Sequence, residues 1–380
     1  MVGAVPVASG ELFQVGSSGA ATWQDAVDEC STQIGTTLGN LGFIYSTDHH
    51  AENMSAIVER FVTQTNVRHW VGATGIGVLR SGHEDYECPA INVMVGAFPE
   101  DSFQVFSDAQ GGLESFNRDH RPWFKSHFQT FAVVHGNPES AEVPRLIPAL
   151  SDALQGGYLV GALSSSRGRN VQVADGPTTS DLSGVLFSEK VPVSTGLTQG
   201  CSPIGPQRTI TRISQNIIFT IDDRPALEVF EEDIGEKLAQ NLNSVAGKIF
   251  AALPVVGSDT GDYLVRNIVG IDPQHKLLAI GDSVDTGDSI LFCQRDRTSA
   301  EEDLIRMLRD LKQRSTGSVP RGGVYFSCLG RGRHTFGEDS NEMALIQSEL
   351  GDVPLVGFFA NGEIGHRRLY GYTGVLTLFL

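Results

Sequence analysis

With 380 residues, 40% of them hydrophobic and 19% charged, the chain is long enough for two compact units and carries no low-complexity tract. Its formal charge of −17 opposes a phosphate backbone, which needs clustered Lys and Arg, so nucleic acid is excluded as a partner class. No apolar run reaches the ~18–20 residues that cross a bilayer, the start MVGAVPVASGELF lacks a signal peptide's basic stretch, and the five cysteines show no CxxC spacing; these features predict a cytoplasmic protein with free thiols and no membrane partner.

The first half alternates helix and strand signals. Thr22 is placed to cap a helix whose apolar stripe is Trp23, Ala26, Val27, Cys30 and Ile34. The buried run LGFIYST (41–47), a helix with Met54, Ile57, Val58, Phe61 and Val62 on one face, and the strand HWVGAT then read as β-α-β, with His49 and His50 facing solvent ahead of that helix. Strands follow at INVMVGAF, TFAVVHG and YLVGALSS, the last two flanking a helix near 141–154 that has to accommodate Pro144 and Pro148.

The second half is richer in strands, at IIFTI, YLVRNIVGI, LLAIGD, ILFCQ, GVYFSCLG, PLVGFFA and GVLTLFL, and predicts a mixed sheet. Ser299 with Glu302 forms a capping box for a helix running to Arg314. A further helix from Asp339 or Ser340 presents Met343, Ile346 and Leu350; both helices read as packing elements without chemistry. The turn IDDRP divides the chain into 1–222 and 223–380. The fold class is α/β (α+β), with mixed β-sheets and flanking helices in two associated lobes, for which a layered αββα sandwich is one arrangement.

Candidate chemistry gathers at glycine-rich strand ends. Gly330 and Gly332 in FSCLGRGR let the backbone turn and aim Arg331 and Arg333 at a common space beside Cys328, where guanidinium groups suit a ligand carboxylate; an ordinary surface salt bridge is the competing reading for either arginine. In ANGEIG, tight-turn chemistry accounts for Asn361 and Gly362 but not for Glu363, which could hold a ligand ammonium. The SSSRG exit from a strand offers Ser165 and Arg167, either as ligand contacts or as a polar strand end. Cys201 and Ser202 in QGCSPIG read as pocket wall, as a nucleophile site or as a plain tight turn. VGATGIG lacks the GxGxxG spacing of a dinucleotide loop, the histidines lack HxxxH spacing with an acid, and Asp282, Asp285 and Asp288 lack the glycine and distal Glu of a calcium loop, so no cofactor or metal is expected.

Taken in order, VGATGIG (71–77), PAINVMV, VGALSSSRG (160–168) with GVLF, TQGCSPIGP (198–206), RPALEV (224–229), LFCQRD (291–296), YFSCLGRGR (325–333) and GFFANGEIGHRRLYGYTGVL (357–376) resemble the FIST family across nearly the whole chain. The resemblance implies an N-terminal and a C-terminal FIST part forming one sensory unit for a small molecule such as an amino acid, and adds Gly72 and Thr74 to the ligand contacts. It departs from the family where Ala73 and Thr74 replace the usual Ser or Cys of the first glycine turn. These 380 residues show no kinase, chemotaxis or cyclase module, so output is expected to pass through a separate signalling protein. A non-enzymatic sensor is the leading reading; a cysteine-dependent hydrolase or transferase using Cys201 or Cys328, and a protein-interaction scaffold, are the alternatives.

Overall fold

The computed structural model describes residues 13–107, 112–127, 131–154, 157–242, 245–255 and 263–380, so Thr130 of TFAVVHG and most of the amino-terminal stretch lie outside the described residues. The chain divides into two compact units, one of Met1–Thr198, Leu304–Leu369 and Thr373–Leu380, the other of Gln199–Asp303 and Tyr370–Tyr372.

The first unit is built on three mixed sheets, each carrying one parallel pair with a helix as the crossover. Leu41–Thr47 and His69–Gly75 pair through the helix Met54–Thr65, Phe131–Gly136 and Tyr158–Leu163 through Val143–Ala153, and Gly322–Cys328 and Leu355–Ala360 through Asn341–Leu350. Parallel neighbours require such crossovers, and their buried strands read as near-continuous apolar runs, as LGFIYST and LVGFFA do. The inner faces meet in one core containing Phe43, Tyr45, Val133, Val160, Phe326, Phe358 and Phe379. Helices cover the outer faces: Ala26, Val27, Cys30 and Ile34 of the Thr22-capped Trp23–Ile34 helix pack with Ile57, Val58 and Phe61 against the first sheet. This is the α+β class with mixed sheets and flanking helices.

The chain switches sheets at Ile76, between His69–Gly75 and Gly77–Arg80. A Cβ on Gly75 would lie 2.6 Å from the Gly77 carbonyl oxygen and 2.9 Å from Phe358 Cβ, so the glycines of VGATGIG allow a tight crossing of backbone.

In the second unit the strands Arg208–Ser214, Ile217–Ile221, Leu277–Ile280, Tyr263–Asp272, Ile249–Pro254 and Ser289–Arg295 pair antiparallel, and the last returns to the first, closing the sheet on itself. Closure pairs each of these six strands on both sides, and Val229 and Phe230 of the helix Ala226–Ile234 join Ile210, Ile218, Ile280 and Phe292 in its core. In the second half these strands close up, while Gly322–Cys328 pairs parallel with Leu355–Ala360 and antiparallel with Thr373–Phe379, the expected mixed sheet, which Gly77–Arg80 and His83–Tyr86 of the first half extend. His50 also departs from expectation, since it is buried in the 3-10 turn Asp48–Asn53.

Candidate ligand-binding site

The parallel strands Gly322–Cys328 and Leu355–Ala360 end side by side, and the segments that follow them carry Arg331 and Glu363. Carboxyl ends of parallel strands are where α/β folds gather ligand contacts, because helix-bound loops diverge there.

Arg331 is 1% exposed, which for a guanidinium demands a partner. It finds Glu342, also 1% exposed, on the first turn of the helix Asn341–Leu350, with Arg331 Nε donating to Oε1 over 2.8 Å. Tyr325 Oη (2.6 Å) also donates to Oε1, while Ser327 Oγ (2.9 Å) and the Gly332 amide (2.9 Å) donate to Oε2. Four donors saturate the carboxylate, whereas Arg331 Nη1 and Nη2, buried as well, have no hydrogen-bond partner among the described residues. Burial acts against the Arg331 charge, but the adjacent Glu342 carboxylate holds its pKa above the ordinary arginine value. The result is a fixed guanidinium with its outer edge unused.

Glu363 is wholly buried at the head of a short strand. Its Oε2 accepts from the Thr373 amide (3.2 Å) and Thr373 Oγ1 (2.7 Å), while Oε1 is buried without a partner among the described residues. Burial pushes its pKa up to about 8, against the pull of the Thr373 hydrogen bonds, the Arg331 charge and the Cys328 side chain. Such a carboxyl stands ready to ionise against a cation.

A third buried carboxyl lies near Glu342. Glu84 caps the Asn341–Leu350 helix from outside it, accepting from the Met343 amide (3.1 Å) and from Tyr86 Oη (2.6 Å). Burial and repulsion from Glu342 push its pKa up to about 7. Tyr86 stacks on Phe359, and Gly332, at φ 50°, passes so close that a Cβ would lie 1.9 Å from Tyr86 Oη.

The remaining candidates divide by what their polar atoms already do. Arg333 does not share the space of Arg331: it reaches out to Glu87 at 2.6 Å with its guanidinium over the Tyr86 ring, because Gly332 turns the backbone between them. Asn361 is exposed and Gly362, not Asn361, takes the positive φ of 135°. Gly72 is buried in its strand, where a Cβ would lie 1.7 Å from the Ile44 carbonyl oxygen. Thr74 is committed to Val171, its Oγ1 accepting from the Val171 amide at 3.1 Å. Ser165 Oγ latches Phe359 O (2.5 Å) and the Ile76 amide (2.9 Å). Arg167 forms an exposed fork on Asp48. Cys201 and Ser202 belong to the second unit, where Cys201 is buried with Cys293, Phe250 and Tyr263. Only Arg331, Glu363 and Cys328 of the expected set come together.

Reading the sequence missed Glu342, Tyr325, Ser327, Thr373 and Glu84. Tyr325 and Ser327 alternate along an apolar strand, the one available sign of a polar side facing the helix. Glu342 looks like any acidic residue favoured at a helix start, and Glu84 lies 258 residues away from it in the chain.

A family model described as FIST N domain matches residues 40–224, and one described as FIST C domain matches residues 226–366. The uncharacterized protein Rv0628c of Mycobacterium tuberculosis (strain ATCC 25618 / H37Rv) is similar at 30% identity over 328 residues, covering 82% of this chain and 83% of the relative. The uncharacterized protein Mb0898c of Mycobacterium bovis is 27% identical over 373 residues, 93% of either chain.

Proposed function

The chain belongs to the FIST family, and on that premise we propose that it is a receptor for a small zwitterion, an amino acid or close analogue, rather than an enzyme. FIST domains are associated with small-ligand sensing in signal transduction. The observation that carries the finer reading is the pair of unmet buried polar groups: the outer edge of Arg331, set by Glu342, and Oε1 of Glu363, set by Thr373. A carboxylate accepts two parallel hydrogen bonds from a guanidinium, and an ammonium donates to a carboxylate, so one α-amino acid satisfies both groups. Glu363 then gives up its proton as the ligand cation arrives. Signal output runs through a separate protein, in the cytoplasm; among the described residues no helix is long and apolar enough to cross a membrane.

Calorimetric titration against the proteinogenic amino acids tests this. Glu363→Gln should weaken binding by about 2–5 kcal/mol, because it leaves a desolvated ligand ammonium unmatched, and Arg331→Lys should weaken it too, because the ammonium keeps the charge but loses the two parallel donors. Arg333→Ala should bind as the parent does. If no amino acid binds, or if Glu363→Gln binds as tightly as the parent, the reading fails.

A further inference from the structure

Glu363 does not stand alone on its sheet. In strand register Ser183 pairs with His135, His135 with Ala162, and Ala162 with Glu363, so these four side chains rise in one row from one face. That face is the inner one, since Val133, Val160 and Val185 on the same strands at the same parity belong to the central core, whereas Ile364, next to Glu363, packs on the outer side. The opposing sheet presents a second row, Asn92, Tyr45, Ala73 and Gln172, again in register. The rows are joined at two points, by Tyr45 Oη and His135 Nε2 at 3.1 Å and by Ser183 Oγ donating to Gln172 Oε1 at 2.6 Å. A polar layer therefore crosses the apolar core.

Two atoms of the Glu363 row are buried without a partner among the described residues: Nδ1 of His135 and Oε1 of Glu363. Along the row Ala162 is the one residue that separates them. We propose that the ligand site extends along this row, with His135 Nδ1 reading an uncharged hydrogen-bonding group on the ligand, so that the ligand is an amino acid bearing a side-chain carboxamide. The proposal rests on the Arg331–Glu363 reading and names the ligand class within it.

Length and charge both lead there. Two strand spacings separate His135 from Glu363, about 10 Å, and a hydrogen bond of about 2.9 Å at each end leaves roughly 4 Å. That is the span from an α-amine to the side-chain amide of a four- or five-carbon amino acid. Burial pushes the His135 pKa down to about 3, so the imidazole is neutral and offers one donor or one acceptor without charge. A ligand carboxylate would bury a second anion with no cation at that end, and an apolar side chain would leave Nδ1 unsatisfied. Phe326 and Phe358, with ring centroids 5.9 and 6.2 Å from that of His135, wall the row on the third sheet.

Two isosteric sets of amino acids provide the test: asparagine, leucine and aspartate for the shorter reach, glutamine, methionine and glutamate for the longer. Titration calorimetry on the full chain should find the amide member of at least one set binding ~10-fold or more tighter than its apolar and acidic counterparts, as expected where a site is built to hydrogen-bond its substrate. His135→Phe should bring the amide's affinity down to that of the apolar member while leaving the apolar member's affinity unchanged. If amide and apolar members bind the parent equally well, or if His135→Phe keeps the preference, the role of His135 is wrong and the charge clamp survives. If none of the six binds, or if Glu363→Gln binds the amide as tightly as the parent does, the clamp falls and this inference with it. The parent protein's own preference needs no variant, so a His135→Phe chain that fails to fold does not rescue the proposal.

Discussion

Burial makes Glu363 costly to ionise, so over the range from the ordinary carboxyl value of 4.5 to about 8 the folded chain holds a proton that the unfolded chain has released. Stability without ligand therefore falls as pH rises through that window and levels off above it, by up to about 1.4 kcal/mol per pH unit for this group. Glu84 adds the same sign up to about 7. Glu363→Gln removes one of the two contributions, so its melting temperature should gain on the parent's between pH 5 and pH 8; scanning calorimetry at several pH values checks this, and a constant difference would refute it. Glu363 was legible in the sequence because the turn chemistry of ANGEIG left it unexplained. The choice between Arg331 and Arg333 was not, since it depends on Glu342, a helix residue whose burial only the fold decides. For the same reason Arg331 is no free turn residue: Arg331→Ala would strip a donor from a buried carboxylate and should destabilise the chain, so Arg331→Lys is the better probe of binding.

At the scale of elements, the long helix near residue 300 separates pattern from geometry. Ser299 and Glu302 fit a capping box, yet the helix runs Arg297–Arg314, and Asp296 Oδ2 accepts from both the Ser299 amide (2.9 Å) and Ser299 Oγ (2.6 Å). Asp296→Ala should cost about 1 kcal/mol in urea denaturation and Ser299→Ala only a few tenths, because the second variant keeps the backbone donor capped. Equal losses would restore Ser299 as the cap. Most elements were readable because their periods are pure: LGFIYST is buried at every position, and the Met54–Thr65 helix hides Ile57, Val58 and Phe61. The short hairpin Gly77–Arg80 and His83–Tyr86 was not readable. Its four-residue strands carry mostly polar or glycine positions, and what holds them is pairing with Val356–Phe358, far along the chain.

That pairing governs the whole molecule. Taking 1–222 and 223–380 as the two halves, strands of the second complete sheets of the first: Val78, Leu79 and Arg80 lie against Phe358, Gly357 and Val356, and Val160, Gly161 and Ala162 against Gly365, Ile364 and Glu363. The shared core is equally divided, with Tyr45 stacked on Phe358 at 5.3 Å and Phe43 against Phe379 at 5.6 Å between ring centroids. Residues 1–222 expressed alone would therefore expose two unpaired strand edges and a sheet face of large apolar side chains, conditions that favour a loosely packed chain or its aggregation. The fragment should melt without a sharp transition and bind a hydrophobic dye, and adding 223–380 should restore cooperative melting if the two pieces fold together. A fragment that melts as sharply as the full chain, with no dye binding, would mean that the first half closes a core without these strands. Glu363 would then be a visitor at the edge of a finished sheet, not the end of a polar row that the sheet needs for its own completion.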